Sequence, residues 1–115
     1  MRSLPEEERL RLLHIMERID TVQSWVREVT LADFLANQMM HDAASLAIMV
    51  IGETSTRLLP NTKDAMREIP WRDMTGLRNR IAHGYATVDH RRVWQIIQHD
   101  LPVLKAACQR LLAPA

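Results

Sequence analysis

The sequence predicts an all-α fold: an antiparallel bundle of four to five helices that forms a single domain over residues 1–115. Apolar residues recur at alternating gaps of three and four, which is the spacing of one face of a helix. Only 3 residues are Gly and 5 are Pro, fewer turn-forming residues than an all-β protein needs. No segment shows the two-residue period of a strand. Short connections between the predicted helices favour antiparallel neighbours.

The first predicted helix covers about residues 5–29. Ser3 and Glu6 have the spacing of a capping box, and Pro5 suits the first helical turn. A long apolar stripe then follows, which consists of Leu12, Ile15, Ile19, Val22, Val26 and Val29. This stripe predicts that one face of the helix packs against the rest of the bundle.

The middle of the chain predicts a second long helix and a short one. The second helix begins with Thr30 as its cap and ends before Pro60, and it could break near Asn37. A short helix could follow over residues 62–68.

The third and fourth long helices are predicted from their end signals. The third opens at Pro70 and closes at Gly84, because Gly tolerates the left-handed conformation found at many helix ends. Asp89 caps the last helix, and Pro102 lies inside its apolar stripe. We therefore expect the last helix to kink near Pro102.

Composition limits the class of protein. The net charge of +1 gives no general argument for nucleic-acid binding, no run of about 18 apolar residues predicts a membrane span, and residues 1–8 lack an apolar signal core. The single cysteine, Cys108, excludes an internal disulfide and a cysteine-based zinc site, so a reducing cytoplasm is expected. Cys108 lies on the last apolar stripe, which predicts an inert buried thiol. No metal site is expected, because four histidines lack the short spacing of metal ligands: His14, His41, His90 and His99.

Positive charge is concentrated in residues 72–92, where five arginines stand against two aspartates, a net +3. Such a patch suits phosphate, although a solvated helix face has the same composition. Arg78, Asn79, His83 and Tyr85 lie within this segment. A guanidinium binds phosphate oxygens, and an imidazole transfers protons near neutral pH.

Metal-free RNA cleavage needs both of these functions. The deprotonated 2′-hydroxyl attacks the neighbouring phosphorus, and the 5′-oxygen leaves with a proton. A general acid and a general base together require two histidines. This interpretation therefore predicts a two-fold dimer that brings two copies of Arg78 and two of His83 into one cleft.

The spacing of Arg78 and His83 leaves open whether their side chains lie on the same side of the helix. Five residues correspond to about 140° of rotation, so the two side chains would not share a face of an ideal helix. A relaxed last turn before Gly84 could swing His83 toward Arg78. Arg78 could instead be a structural ion-pair partner of Glu53, which follows Gly52 in an apolar helix.

Arg78, His83 and Tyr85 form the pattern Arg-x4-His-x-Tyr, which resembles the signature of the HepT-like toxins, the DUF86 group of the HEPN superfamily. Asn79, directly after the arginine, is also similar to the HEPN pattern. The likeness covers most of the chain, to about Leu112. It includes Ile51-Gly52-Glu53, Ile69-Pro70-Trp71, Gly76-Leu77, Val88-Asp89, Val93-Trp94 and Asp100-Leu101-Pro102.

The resemblance implies an all-helical dimer that acts as a metal-independent ribonuclease without a cofactor. Its partner would be an antitoxin of the minimal nucleotidyltransferase (MNT) type. By this likeness Arg78 and His83 carry out RNA cleavage, and Asn79 orients the scissile phosphate. Tyr85 would be the hydroxyl to which the antitoxin transfers AMP from ATP, and the added negative charge should repel RNA. This modification requires that Tyr85 be exposed.

Several alternatives stay open from the sequence. Arg72 and Arg80 are expected to be solvated or RNA-steering charges rather than catalysts. The chain could instead be a non-catalytic nucleotide-binding or regulatory partner subunit of a nucleotidyltransferase, which predicts a stable complex without RNA cleavage. It could also be a helical interaction protein whose motif is vestigial. For Tyr85 itself, the alternative to modification is a packed side chain with its hydroxyl in solvent.

Overall fold

The computed structural model describes residues 4–114, and within this range it contains helices and no strand. The predicted all-α class is therefore confirmed. No helix in the described range is both long and apolar enough to cross a membrane. The elements are, in chain order, α1 (Glu6–Trp25), α2 (Leu31–Ala36), α3 (Gln38–Thr56), α4 (Pro60–Asp64), α5 (Trp71–His83), a 3-10 turn (Tyr85–Thr87), α6 (His90–Gln95), a π-helical turn (Ile96–Asp100) and α7 (Leu101–Leu112).

The long helices pack as antiparallel neighbours around one apolar core. Glu8 near the start of α1 contacts Leu59 just beyond the end of α3. Likewise, Asp42 near the start of α3 contacts Tyr85 just after α5. The core includes large side chains that are almost fully buried, contributed by most of the helices: Leu12, Ile15, Ile19, Phe34, Ile51, Met66, Ile97, Leu101 and Leu104.

Glu8 is a fully buried carboxylate that joins α1 to α4. Its Oε1 accepts hydrogen bonds from the Leu59 amide at 2.7 Å and the Thr62 hydroxyl at 2.6 Å, and its Oε2 accepts one from Arg11 at 2.7 Å. Burial alone would raise the pKa of Glu8, but these hydrogen bonds together lower it. The buried charge is therefore well satisfied in the folded state.

The first helix ends earlier than its apolar stripe predicts. Glu28 has a φ of 63°, and a residue in this left-handed region commonly follows a helix end. The chain therefore leaves the helix after Trp25, and Val26 is buried from the turn that follows. The predicted capping box involves Ser3, which lies outside the described residues.

The predicted caps in the middle of the chain are present. The Thr30 hydroxyl accepts a hydrogen bond from the Asp33 amide at 3.1 Å at the start of α2. Asn37 breaks the helix and caps α3, since its side chain accepts a hydrogen bond from the Met40 amide at 3.0 Å. The short helix predicted over 62–68 is instead α4, which begins at Pro60 because Pro is favoured in the first helical turn.

The last helix begins and distorts where the sequence predicts. The Asp89 side chain accepts a hydrogen bond from the Arg91 amide at 2.9 Å, which caps α6. The π-helical turn ends at Asp100, two residues before Pro102, because a proline lacks an amide hydrogen and crowds the preceding turn. On α7, Cys108 is fully buried, and burial raises the pKa of its thiol to about 12, which fits the predicted inert thiol.

Candidate active site

Arg78 lies on α5 at a close approach between α5 and α3. A Cβ added to Gly52 of α3 would lie 2.8 Å from the Arg78 Cβ, so only glycine allows this approach without a shift. The close packing brings the next residue of α3, Glu53, alongside the Arg78 side chain. The sequence Gly52-Glu53 thus positions a carboxylate beside the arginine of the motif.

The Arg78 guanidinium is held by two neighbours and keeps 27% of its side-chain area exposed. Nη2 donates a hydrogen bond to Glu53 Oε2, and Nη1 donates one to Asn79 Oδ1 at 2.6 Å. The Nε atom is buried and has no partner among the described residues. Because a guanidinium has five N–H donors, these two bonds fix its orientation and leave donors for an anion.

The structure contains the ion pair between Arg78 and Glu53, which the sequence left open. Glu53 keeps 41% of its side-chain area exposed and also lies 3.9 Å from the Arg57 guanidinium. An ion pair this exposed contributes little to stability. Its main physical effect is to restrict the position of Arg78.

His83 is the last residue of α5 and is exposed. The final turn is a regular α-helix, because the Gly84 amide donates to the Arg80 carbonyl at 2.8 Å. The relaxed turn that could have swung His83 toward Arg78 is absent, so helix geometry keeps the two about 140° apart around the axis. Gly84 ends the helix as predicted but has a φ of −152°, so the predicted left-handed conformation is wrong.

Tyr85 lies in the 3-10 turn after α5 and is partly buried, not free in solvent. Its hydroxyl donates a hydrogen bond to Asp42 Oδ1 and lies 3.2 Å from His90 Nε2. Burial and the Asp42 carboxylate raise the pKa of Tyr85. The hydrogen bond from Tyr85 in turn lowers the pKa of Asp42.

A second group of polar residues lies behind Tyr85. His41 Nδ1 is 3.2 Å from Asp42 Oδ1, and the His41 and His90 rings contact each other with centroids 3.9 Å apart. Burial and the neighbouring His41 lower the pKa of His90. The sequence does not predict this group, because His90 lies far from His41 and Asp42 in the chain and only the packing of α3 against α6 brings them together.

The other basic residues of the motif region face solvent. Arg72 and Arg80 are both exposed on α5, and neither forms an ion pair with another residue of the range 4–114. Arg92 differs, since its guanidinium lies 3.5 Å from Asp100. Helix geometry places Arg72 about 20° and Arg80 about 60° from His83 around the axis of α5, so this unpaired positive charge lies on the His83 side of the helix.

Comparison with known proteins identifies the family. The family model "Ribonuclease HepT-like" matches residues 14–111. "Probable ribonuclease HepT" of Thermococcus cleftensis is 34% identical over 97 residues, which cover 84% of this chain and 88% of the relative. "Putative RNase MJ1380" of Methanocaldococcus jannaschii is 30% identical over 94 residues, which cover 82% of this chain and 86% of the relative. No solved structure gives a significant match. The chain belongs to the HepT-like ribonuclease family.

Proposed function

We propose that this protein is a metal-independent endoribonuclease, the toxin of a toxin–antitoxin pair, which acts as a two-fold dimer. The proposal rests on the Arg78 guanidinium, which is fixed in position but still accessible. Glu53 and Asn79 hold its guanidinium while part of it remains open to solvent. Five residues further on, His83 is exposed at the end of the same helix. Family membership and the names of the two relatives support RNA as the substrate.

A dimer supplies what one chain lacks. Within one chain, α5 directs Arg78 and His83 to different sides, so a second copy of α5 is needed to complete a cleft. His83 of one protomer takes the 2′-hydroxyl proton, and the 2′-oxygen attacks phosphorus. The bond from phosphorus to the 5′-oxygen breaks, and His83 of the partner subunit protonates that oxygen. Arg78 stabilises the charge that develops on the phosphate, and Asn79 orients it.

Exposed cations extend the proposed RNA surface. Arg72 and Arg80 lie within about 60° of His83 around the axis of α5, and neither has an acidic partner among the described residues. In this proposal they contact backbone phosphates on either side of the scissile bond. Their contribution is electrostatic, so it should weaken as salt rises.

Neutralisation by AMP transfer to Tyr85 forms the second part of the proposal. The phenolic oxygen bonds to the α-phosphorus of ATP. The bond between that phosphorus and the oxygen that bridges to the β-phosphate breaks, and pyrophosphate leaves. Asp42 already accepts the hydrogen bond of this hydroxyl, and it takes the proton as the bond to phosphorus forms, since the pKa of Tyr85 is raised and that of Asp42 is lowered before the reaction. The MNT antitoxin would supply the ATP, and the bound AMP would place bulk and negative charge beside the basic surface. Coexpression with the antitoxin should add AMP to the Tyr85 peptide in protected cells, and an unchanged peptide would exclude this step.

Cleavage of total RNA in the presence of EDTA tests the proposed reaction. Arg78→Ala and His83→Ala should each lower the rate by about 10²–10⁴-fold. Arg67→Ala and His99→Ala are matched controls, because both residues are exposed and lie outside the motif; they should cut like wild type. Intact RNA with wild-type protein, or equal cleavage by all four variants, would overturn the proposal. Nucleotide binding without cleavage would instead support a partner subunit of a nucleotidyltransferase.

A further inference from the structure

Three metal-ligating groups meet where the N-terminal ends of α3 and α6 pack together. His41 and Asp42 lie in the second turn of α3, and His90 is the first residue of α6. One ligand atom from each residue lies within 4.8 Å of the other two. All three side chains are partly buried, so they are neither freely solvated nor closed to an ion from solvent.

The surroundings of this cluster resemble the outer layer of a metal site. Phe34 packs against His41 at 6.2 Å and against Trp94 at 5.1 Å between ring centroids, which gives one apolar wall. On the polar side, the Tyr85 hydroxyl donates to Asp42 and so orients the carboxylate. Outer hydrogen bonds and apolar walls of this kind fix ligand orientation in metal sites.

A buried hydroxyl lies next to Tyr85 at the edge of this cluster. Ser45 follows His41 by one helical turn on the same face of α3, and its side chain is fully buried. Its Oγ lies beside the Tyr85 hydroxyl, so the polar side of the cluster continues one turn further along α3.

We propose that His41, Asp42 and His90 bind a late first-row divalent cation, with Zn²⁺ the best match. Two imidazole nitrogens and one carboxylate oxygen form a donor set that Zn²⁺ favours, whereas Mg²⁺ and Ca²⁺ prefer oxygen ligands. A fourth position remains for water.

The separations of the ligand atoms are compatible with a tetrahedral site. Metal–ligand distances of about 2.0–2.1 Å place neighbouring ligand atoms about 3.4 Å apart. The His41 and Asp42 atoms are already 3.2 Å apart. Since all pairs lie within 4.8 Å, the remaining pairs must close by no more than about 1.4 Å, which side-chain rotation can supply.

The ion would link α3 to α6 beside the 3-10 turn between α5 and α6 that carries Tyr85. Binding to the folded state alone stabilises it by mass action, so the protein should melt at higher temperature with the ion present. This role does not depend on the proposed ribonuclease, which needs no metal. Loss of metal binding can therefore be observed without loss of RNA cleavage, and loss of RNA cleavage without loss of metal binding.

Calorimetric titration of the untagged, EDTA-treated full chain with Zn²⁺ alone tests the site. We expect one ion per chain and a higher Tm in its presence. His41→Gln and His90→Gln should each weaken binding by at least tenfold and remove the rise in Tm, while Mg²⁺ should give no binding. The exposed His14 and His99 provide controls, and His14→Gln and His99→Gln should bind like wild type.

Two outcomes would overturn the site. One is no Zn²⁺ binding by the wild type, and the other is binding that His41→Gln and His90→Gln leave unchanged. If either variant has a non-native circular dichroism spectrum, Asp42→Asn replaces it, because the amide keeps the size of the side chain and removes the charged ligand. Undiminished binding by Asp42→Asn would likewise overturn the site.

Discussion

The contact between Gly52 of α3 and Arg78 of α5 allows a quantitative test of how the bundle positions the candidate site. In Gly52→Ala, the new Cβ would lie 2.8 Å from the Arg78 Cβ and 3.1 Å from its Cγ. Because the Arg78 Cβ is attached directly to the α5 backbone, a rotation of the side chain cannot relieve the contact, and the helices must move apart. Overpacking of this kind costs about 1–3 kcal/mol.

Helix propensity opposes this cost. Ala is favoured over Gly inside a helix by about 0.8–1 kcal/mol. Gly76 of α5 is the matched control, since a Cβ built there meets no described atom within 4 Å beyond its own stretch of helix. We expect Gly76→Ala to raise the free energy of unfolding by up to about 1 kcal/mol, and Gly52→Ala to lower it by about 0–2 kcal/mol.

Urea unfolding, followed by circular dichroism, measures both free energies. Both variants gain the same helix propensity, so it cancels when their free energies of unfolding are subtracted. The remaining difference should equal the overpacking cost of about 1–3 kcal/mol. RNA cleavage by Gly52→Ala should also fall, because Arg78 moves with α5. If Gly52→Ala proves as stable as Gly76→Ala, the described approach of the two helices is wrong.

Three further predictions concern individual side chains. Because hydrogen bonds lower the pKa of Glu8, its contribution to the free energy of unfolding should be complete above about pH 4.5, the ordinary value, and be lost as pH falls further. Glu8→Gln should lower the free energy of unfolding by about 1 kcal/mol at pH 7. In urea titrations it should also reduce the fall of that free energy below about pH 4.5, and an unchanged fall would refute this. Glu53→Ala should reduce kcat for RNA cleavage by about tenfold with less than about 1 kcal/mol of stability lost, since Arg78 loses its anchor, whereas Arg57→Ala should alter neither. Cys108 should resist alkylation in the native protein and react only after unfolding, as mass spectrometry would show; rapid labelling of folded protein would contradict its burial.

The helices were predictable because their signals are local. The alternating spacing of Leu12, Ile15 and Ile19 is visible within one segment, and these residues are buried in the structure. Caps such as Asn37 also act within three residues. The end of α1 was not predictable, since the apolar stripe continues through Val26 while the backbone has already left the helix.

The candidate site was only partly predictable for a related reason. The motif residues lie close together in sequence, but their partners come from α3. Glu53 reaches Arg78 because Gly52 admits α5, and Asp42 reaches Tyr85 because α3 and α5 run antiparallel. Contacts of this kind depend on helix packing, which the hydrophobic period of each segment does not specify.

A purified heterodimer of one wild-type and one His83→Ala protomer, isolated with two different affinity tags, tests the shared cleft most directly. If both copies of His83 act at one phosphate, this heterodimer should cleave RNA almost as poorly as the His83→Ala homodimer. A rate of half the wild-type value would show that each protomer cuts RNA alone, and it would contradict the account.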